Sequence, residues 1–447
     1  MPRKKKAERP EPPSAFGGIF ARYRSSIAAL REFFIQLHPI VTEFDAERTE
    51  AENKEAQQLV ESFAREASKE DTAELGKFID LLQRDLRKPR KPGGPEKPLE
   101  ITGRAAQLLL RLVHFSMRHQ RSLTHYELLN RGILSCLVGS FEVLLSNLAH
   151  EHYRLHPGAV GNDEKGLRVN ELRTFTSLDE AVEVLISRRV DELLRGDVSD
   201  WTRFFRRLRT ANLPALVPSW AQWCEIYQRR HLIIHADGVV DRHYLDKVNW
   251  ANVAWPKDKP TVGTRLPVEA DYVALALDLF EAGGILLCQS VWKKLVADET
   301  PSRLSPTGGL IDAVYDQVLN GRWRVAEYVA DWARNDESGN EEGRLIFAFN
   351  RWLAIKRQGR WSEIAEEIER FDCSAKNPRF ALALASLRER PEEFFKPDLI
   401  AASGLGVDEL REWPILEEMR ADPRFSEVLA RMEAQREEAG DGPSPPG

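Results

Sequence analysis

The chain has 447 residues, 42% of them apolar and 30% charged, with a formal net charge of −6. That balance fits an ordinary globular protein of two to four domains, so bulk positive charge cannot serve for nucleic-acid binding and any anion site must be local. The cysteines Cys136, Cys224, Cys288 and Cys373 are scattered without CxxC spacing, reading as reduced thiols of a cytoplasmic protein and giving no disulfide or zinc framework.

The opening "MPRKKKAERPEPPS" (1–14) is basic and then Pro-rich, with no apolar core of a secretory signal; it reads as a solvated disordered tail. Residues 15–86 form a helical segment in which Phe20, Tyr23, Ile27, Leu30, Phe34 and Leu37 recur at three- and four-residue steps. This seam packs either on its own domain or on a second copy. The Pro/Gly run "RKPRKPGGPEKP" is a linker over 87–98.

Residues 99–296 read as a helical domain. A helix over 131–157 stops at Pro157 and Gly158, and a second near 178–195 starts at Ser177, with Glu180 placed as in a capping box. "WTRFFRRLRT" forms a third after Asp200. A fourth carries "QWCEIYQRRHLIIHADG" and ends at Gly238, and the last begins after Pro267 with Glu269 and Asp271 in its first turn. Residues 270–292 are long and apolar, but Asp271, Asp278 and Glu281 interrupt them, which favours a buried bundle helix over a membrane span.

A second linker covers 297–308, and helices follow over 309–436 before a disordered tail at 437–447. "NGRWRVAEYVADW" is echoed by "QGRWSEIAEEIER", with GRW recurring 38 residues later. A small residue–Arg–Trp turn followed by an amphipathic helix resembles a tetratricopeptide-type helical-hairpin repeat. Trp323, Trp332, Trp352, Trp361 and Trp413 read as core and as walls of a groove for a protein or peptide partner. The fold class is all-α.

The chemistry concentrates in "RRHLIIH". Imidazole can take a proton from a ribose 2′-hydroxyl or give one to a leaving 5′-oxygen, and guanidinium can stabilise the phosphoryl charge that builds between them. His235 falls in the last turn of its helix. Arg230 and His235 lie about 140° apart around a straight helix, so the helix distorts before Gly238 or the site is completed across a dimer interface. The competing structural reading has His235 as a cap and Arg230 paired with Glu225 or Glu142. Residues 201–235 hold six arginines and one acid. Arg203, Arg206, Arg207 and Thr210 share one helical face, a candidate phosphate-binding stripe with Trp201 or Phe204 available for stacking; the alternative is a solvated face. Glu142 and Asn147 are candidates to orient the catalytic pair or to satisfy a buried arginine. His152 and His156 lack an HExxH context and a third ligand, so neither metal nor cofactor is expected, and GxxxxGK[ST], GxGxxG and GxSxG are absent.

The stretch "W-x2-EIYQRRHLIIHADGVVD-x2-YL", with the preceding "GSFEVLLSNLAHEHYRLHP", resembles the RxxxxH region of the HEPN family over about residues 120–295. The resemblance implies an all-α bundle, frequently a homodimer with facing motifs, and in many members a metal-independent ribonuclease of toxin, abortive-infection or antiviral defence systems. Matched by position, Arg230 is the motif arginine and His235 the catalytic histidine, with His231 as polar follower and Arg229 an additional cation. The expected function is RNA cleavage leaving a 2′,3′-cyclic phosphate, with Arg229 and His231 assisting. The rival expectation is a non-catalytic dimeric scaffold or sensor.

Overall fold

The computed structural model describes residues 15–66, 123–160, 167–255, 259–296, 305–336 and 339–438, with scattered positions between 68 and 115. Among these the regular elements are helices, and the β structure is one isolated antiparallel bridge between Val239 and Arg265. The all-α expectation holds. The tail 1–14, the linker 87–98 and residues 297–304 and 439–447 lie outside the described residues, whereas 306–308, expected as linker, already belong to a helix.

The chain divides into two compact units. One takes residues up to Leu30, Leu134–Leu266 and everything from Ala270; the other takes Arg31–Ile133 with Pro267–Glu269. The division therefore falls inside the long helices α1 (Ala15–Glu66) and α2 (His125–Leu155), not at the Pro/Gly runs. In the smaller unit Asp45 accepts hydrogen bonds from the Tyr126 amide at 2.8 Å and meets His125 Nδ1 at 2.7 Å, which fixes the start of α2 against α1. Asn130, fully buried, donates to the Val268 carbonyl at 2.7 Å.

The larger unit is assembled around α7 (Ala270–Leu295), whose middle is buried on every side. Its length and composition would suffice to cross a membrane, as would those of α2. Here α7 is a core helix, as its interrupting acids implied. The first turns of α1 lie on it. Phe16, Ile19, Phe20, Tyr23 and Ile27 are buried, and the Tyr23 hydroxyl donates to the Phe280 carbonyl at 2.5 Å. Gly284 makes that approach feasible, since a Cβ there would lie 2.1 Å from the Tyr23 ring. The Phe20–Tyr23–Ile27 part of the seam thus packs within its own unit.

Between them run α3 (Leu178–Arg195), α4 (Val198–Arg207), α5 (Trp220–Ala236) and α6 (Arg242–Trp250). Ser177 caps α3 by accepting from the Glu180 amide at 3.1 Å, while the Glu180 carboxylate reaches back to the Thr176 amide, one residue earlier than a regular capping box. Helix α4 starts three residues before the expected Trp201, because Asp197 accepts from the Ser199 and Asp200 amides.

Beyond α7, Ser305 caps α8 (Pro306–Leu319), followed by α9 (Trp323–Arg334) and α10 (Glu341–Arg357). Both GRW turns are real. Gly321 and Gly359 take φ of 66° and 74°, the left-handed region open to glycine, and the next residues reach acids on preceding helices, Arg322 to Glu281 at 3.3 Å and Arg360 to Glu327 at 2.8 Å. The two copies then diverge. The first continues into α9, whereas the second becomes a 3-10 turn at Trp361–Glu363 and the short helix Ala365–Arg370. Trp352 is core, and Trp323, Trp361 and Trp413 pack against the same cluster. None of the five tryptophans lines the cavity bounded by Phe371, Arg388 and Leu399.

Two glycine substitutions test this packing. Gly284→Ala should lower stability by about 1–3 kcal/mol in urea denaturation, because a rigid ring blocks the added methyl. Gly139→Ala, mid-helix in α2 with open space around it, should raise stability by about 0.5–1 kcal/mol.

Candidate active site

Helix α5 is built from its core side first. Trp223, Ile226 and Leu232 are buried, and Trp223 stacks on Phe280 of α7 with centroids 4.7 Å apart. The helix stops where Asp237 and Gly238 take φ of 51° and 77°, and the Gly238 amide closes back on the Leu232 carbonyl at 3.1 Å. Asp241 then caps α6 through the Tyr244 amide at 2.7 Å. Hydrogen bonds from Val240 to Thr264 and from Leu266 to Gly238 hold the turn, so α6 folds back on α5 over Leu232, Tyr244 and Val248.

The doubled arginine splits into two different residues. Arg229 is 7% exposed, donates to Glu225 at 2.8 Å and lies 4.7 Å from the Tyr272 ring centre. Burial works against its charge, but Tyr272, Glu225 and Tyr244 outweigh that and raise its pKa. The assisting role expected for Arg229 is therefore corrected: it belongs to the core. Arg230, about 100° further round, is half-buried and pairs with Glu142 at 3.1 Å, while the Tyr227 hydroxyl contacts the same carboxylate at 3.4 Å. Its Nε is buried with no hydrogen-bond partner among the described residues. Glu142 is thus brought to Arg230. Asn147, five residues on and about 140° round α2, is not.

The histidines face outward on another side of α5. His231 and His235 have ring centroids 4.4 Å apart, and His243 of α6 lies 6.1 Å from His231; all three are exposed. The His231 pKa is lowered, by partial burial first and then by the nearby His235, His243 and Arg230. Because α5 stays helical to Ala236, Arg230 and His235 keep to separate sides, and the first of the two alternatives, a distortion before Gly238, is absent. His243 was missed from the sequence. Its signal was the spacing of α6, which puts His243, Lys247 and Trp250 on one face.

The arginine stripe is partly corrected. Arg203, Arg206 and Arg207 are exposed, with Arg203 paired to Asp200 at 2.8 Å and Arg206 donating to Asn212 at 3.2 Å. Trp201 is 0% exposed and its indole donates to the Leu193 carbonyl, and Phe204 is buried beside it, so neither can stack a base. Once the arginines take the solvent face of an amphipathic helix, the aromatics face inward. Thr210 leaves the stripe as well. The helix ends at Arg207, the chain turns at Arg209 with φ 54°, and Thr210 is buried.

His152 is buried near Phe204, with both ring nitrogens lacking a partner among the described residues, and burial with His156 nearby brings its pKa down to about 4. Among the described residues no three His, Cys, Asp or Glu side chains gather in a metal-binding arrangement. Comparison of the chain with family models, with curated proteins and with solved structures returns no match.

Two measurements follow from these placements. Arg229→Ala should cost about 3–5 kcal/mol in denaturant unfolding, because it removes the ion-pair partner of the buried Glu225, whereas Arg230→Ala should cost about 1 kcal/mol or less. The unfolded chain binds a proton at His152 near the ordinary 6.5, the folded chain only near about 4. Stability from this residue is therefore present above 6.5 and lost as pH falls toward 4. His152→Leu should flatten that part of a thermal-midpoint profile against pH.

Proposed function

We propose that this chain is a metal-independent endoribonuclease of the HEPN type that acts as a homodimer. The observation that carries the reading is the exposed pair His231 and His235, 4.4 Å apart, on the helix that also presents Arg230. His231, with its pKa lowered, stays neutral and takes the proton of a ribose 2′-hydroxyl. The 2′-oxygen attacks the adjacent phosphorus, the bond to the 5′-oxygen breaks, and His235 supplies the proton that the 5′-oxygen needs. The products are a 2′,3′-cyclic phosphate and a 5′-hydroxyl end. Arg230 stabilises the charge on the phosphoryl oxygens. His231 thereby moves from an assisting residue to half of the acid–base pair.

Arg230 sits on the wrong side of α5 to serve the histidines of its own chain, which favours a site completed by a second copy. Exposed Ile234 and Val143, 51% and 60% accessible, flank Arg230 and Glu142 and offer apolar surface for that contact. Arg203, Arg206 and Arg207 supply exposed positive charge for the RNA backbone. The helices beyond α7 would bind a protein or peptide trigger, and a toxin or antiviral-defence setting follows from the HEPN resemblance. One observation favours a second reading: the Arg230–Glu142 ion pair already compensates the motif arginine, as a non-catalytic dimeric scaffold or sensor would allow.

Induction of wild type, His231→Ala, His235→Ala and Arg230→Ala should arrest growth only for the wild type, with RNA fragments ending in cyclic phosphate. Equal behaviour of all four in the presence of the trigger would leave the scaffold. Cleavage should fall on the acid side at a pH below 6.5, where His231 takes up its proton. If the site is shared between copies, mixing Arg230→Ala with His235→Ala should restore about a quarter of wild-type activity, because half the dimers then hold one intact site of two.

A further inference from the structure

Cys224, Gln228, His231 and His235 recur at four-, three- and four-residue steps and line one face of α5. The facing side of α6 carries His243, Asp246, Lys247 and Trp250 at matching steps. The two faces run side by side from the histidines to a cavity of about 270 Å³ at the N-terminal end of α5, bounded by Asp197, Cys224, Gln228, Asp246, Lys247 and Trp250. That volume is just under the roughly 300–1,000 Å³ of pockets for drug-sized ligands, the size for one nucleoside-like guest.

Its walls differ in kind. Trp250 is 54% exposed, a large flat ring left in solvent at the rim. Gln228 is only 8% exposed, yet its amide makes no hydrogen bond among the described residues. An unbonded amide on a cavity wall offers a guest both a donor and an acceptor. The Asp246 carboxylate has no ion pair among the described residues, whereas Asp197 is bound to Lys247 at 2.5 Å and to the start of α4. Burial would raise the Asp197 carboxyl, but Lys247 and Ser199 outweigh it and bring it to about 2. Burial pushes the Cys224 thiol up, leaving an uncharged floor.

We infer that this cavity binds one nucleobase carrying an exocyclic amino group, stacked on Trp250 and read by Gln228 and Asp246. A carboxylate accepts from the amino group of cytosine, adenine or guanine and repels the corresponding carbonyl of uracil, and a glutamine amide reads a base edge with paired donor and acceptor. Unstacked bases of single-stranded RNA are read in this way, by an aromatic plane and edge hydrogen bonds. Gln228 lies three residues from His231, about 4.5 Å along the helix, so the base of a bound nucleotide would sit beside the phosphate that the histidines address. The inference deepens the ribonuclease reading and rests on it for that placement.

The test is calorimetric titration of the full chain with cytidine, adenosine, guanosine and uridine, for wild type, Trp250→Ala, Gln228→Leu and Asp246→Asn. Amino-bearing nucleosides should bind saturably and uridine should not, and Trp250→Ala should weaken binding about tenfold or more. A short 2′-deoxy oligonucleotide of the preferred base separates the sources. About tenfold tighter binding than the nucleoside, lost with Trp250, identifies a single nucleic-acid strand as the source, and equal binding identifies a free nucleoside or nucleotide. No saturable binding of any nucleoside, a preference for uridine, or binding unchanged in Trp250→Ala and Gln228→Leu overturns the pocket. Nucleosides bind without being cut, so saturable binding in a chain that never cleaves RNA would sink the ribonuclease reading and keep the pocket. Cleavage indifferent to base would do the reverse.

Discussion

Glu225 receives hydrogen bonds from three helices. The Tyr244 hydroxyl of α6 and Arg229 of α5 approach one carboxylate oxygen at 2.6 and 2.8 Å, and the Tyr272 hydroxyl of α7 approaches the other at 2.6 Å. A carboxylate this deep costs several kcal/mol to strip of water unless its lone pairs are filled. Three side chains, one from each of three helices, fill them here, and each element is thereby held in rotation as well as position. Burial raises the pKa of both tyrosines, and Glu225 adds to it, so they remain hydroxyl donors. With Glu225 and Arg229 turned inward, the geometry of α5 leaves His231 and His235 outward and Arg230 at the flank.

The same rotation decides the electrostatics of the surface. Three imidazoles from two helices share one patch, and partial burial together with His235, His243 and Arg230 nearby lowers the pKa of His231. The left-handed pair Asp237–Gly238 makes this patch possible. It ends α5 one residue after the histidine turn and sends α6 back along it, so two short polar stripes become a groove with an imidazole end and an aromatic end.

Much of this was legible in the sequence, and the reasons for the rest are physical. Local rules worked where a side chain acts on its own backbone: Ser177 caps α3, Gly238 stops α5, and Gly321 and Gly359 turn the repeated GRW. They failed where partners come from far along the chain. Arg229 and Arg230 are adjacent and chemically identical, and only Glu225 with Tyr272, against Glu142, separates a core cation from a flank cation. Trp201 was read as a stacking platform because arginines surround it in sequence, but the arginines' exposure forces the indole inward. The Pro/Gly run near 300 looked like a domain boundary. Yet Arg322 and Gln317 reach back to Glu281 inside α7, so the helices on both sides of the run belong to one compact unit.

Helix α7 therefore carries two buried polar anchor points. Tyr272 near its start holds the Glu225 cluster under the candidate groove, and Glu281, nine residues later, receives Gln317 at 3.0 Å and Arg322 from the helices that follow. Nine residues of α-helix span about 13.5 Å and do not compress. The first GRW turn and the histidine groove are thus mounted on one shaft. A slide or roll of that shaft large enough to release one cluster would also break the other, so strain applied at the first GRW turn arrives at the imidazoles as rigid displacement, without passing through a soft joint.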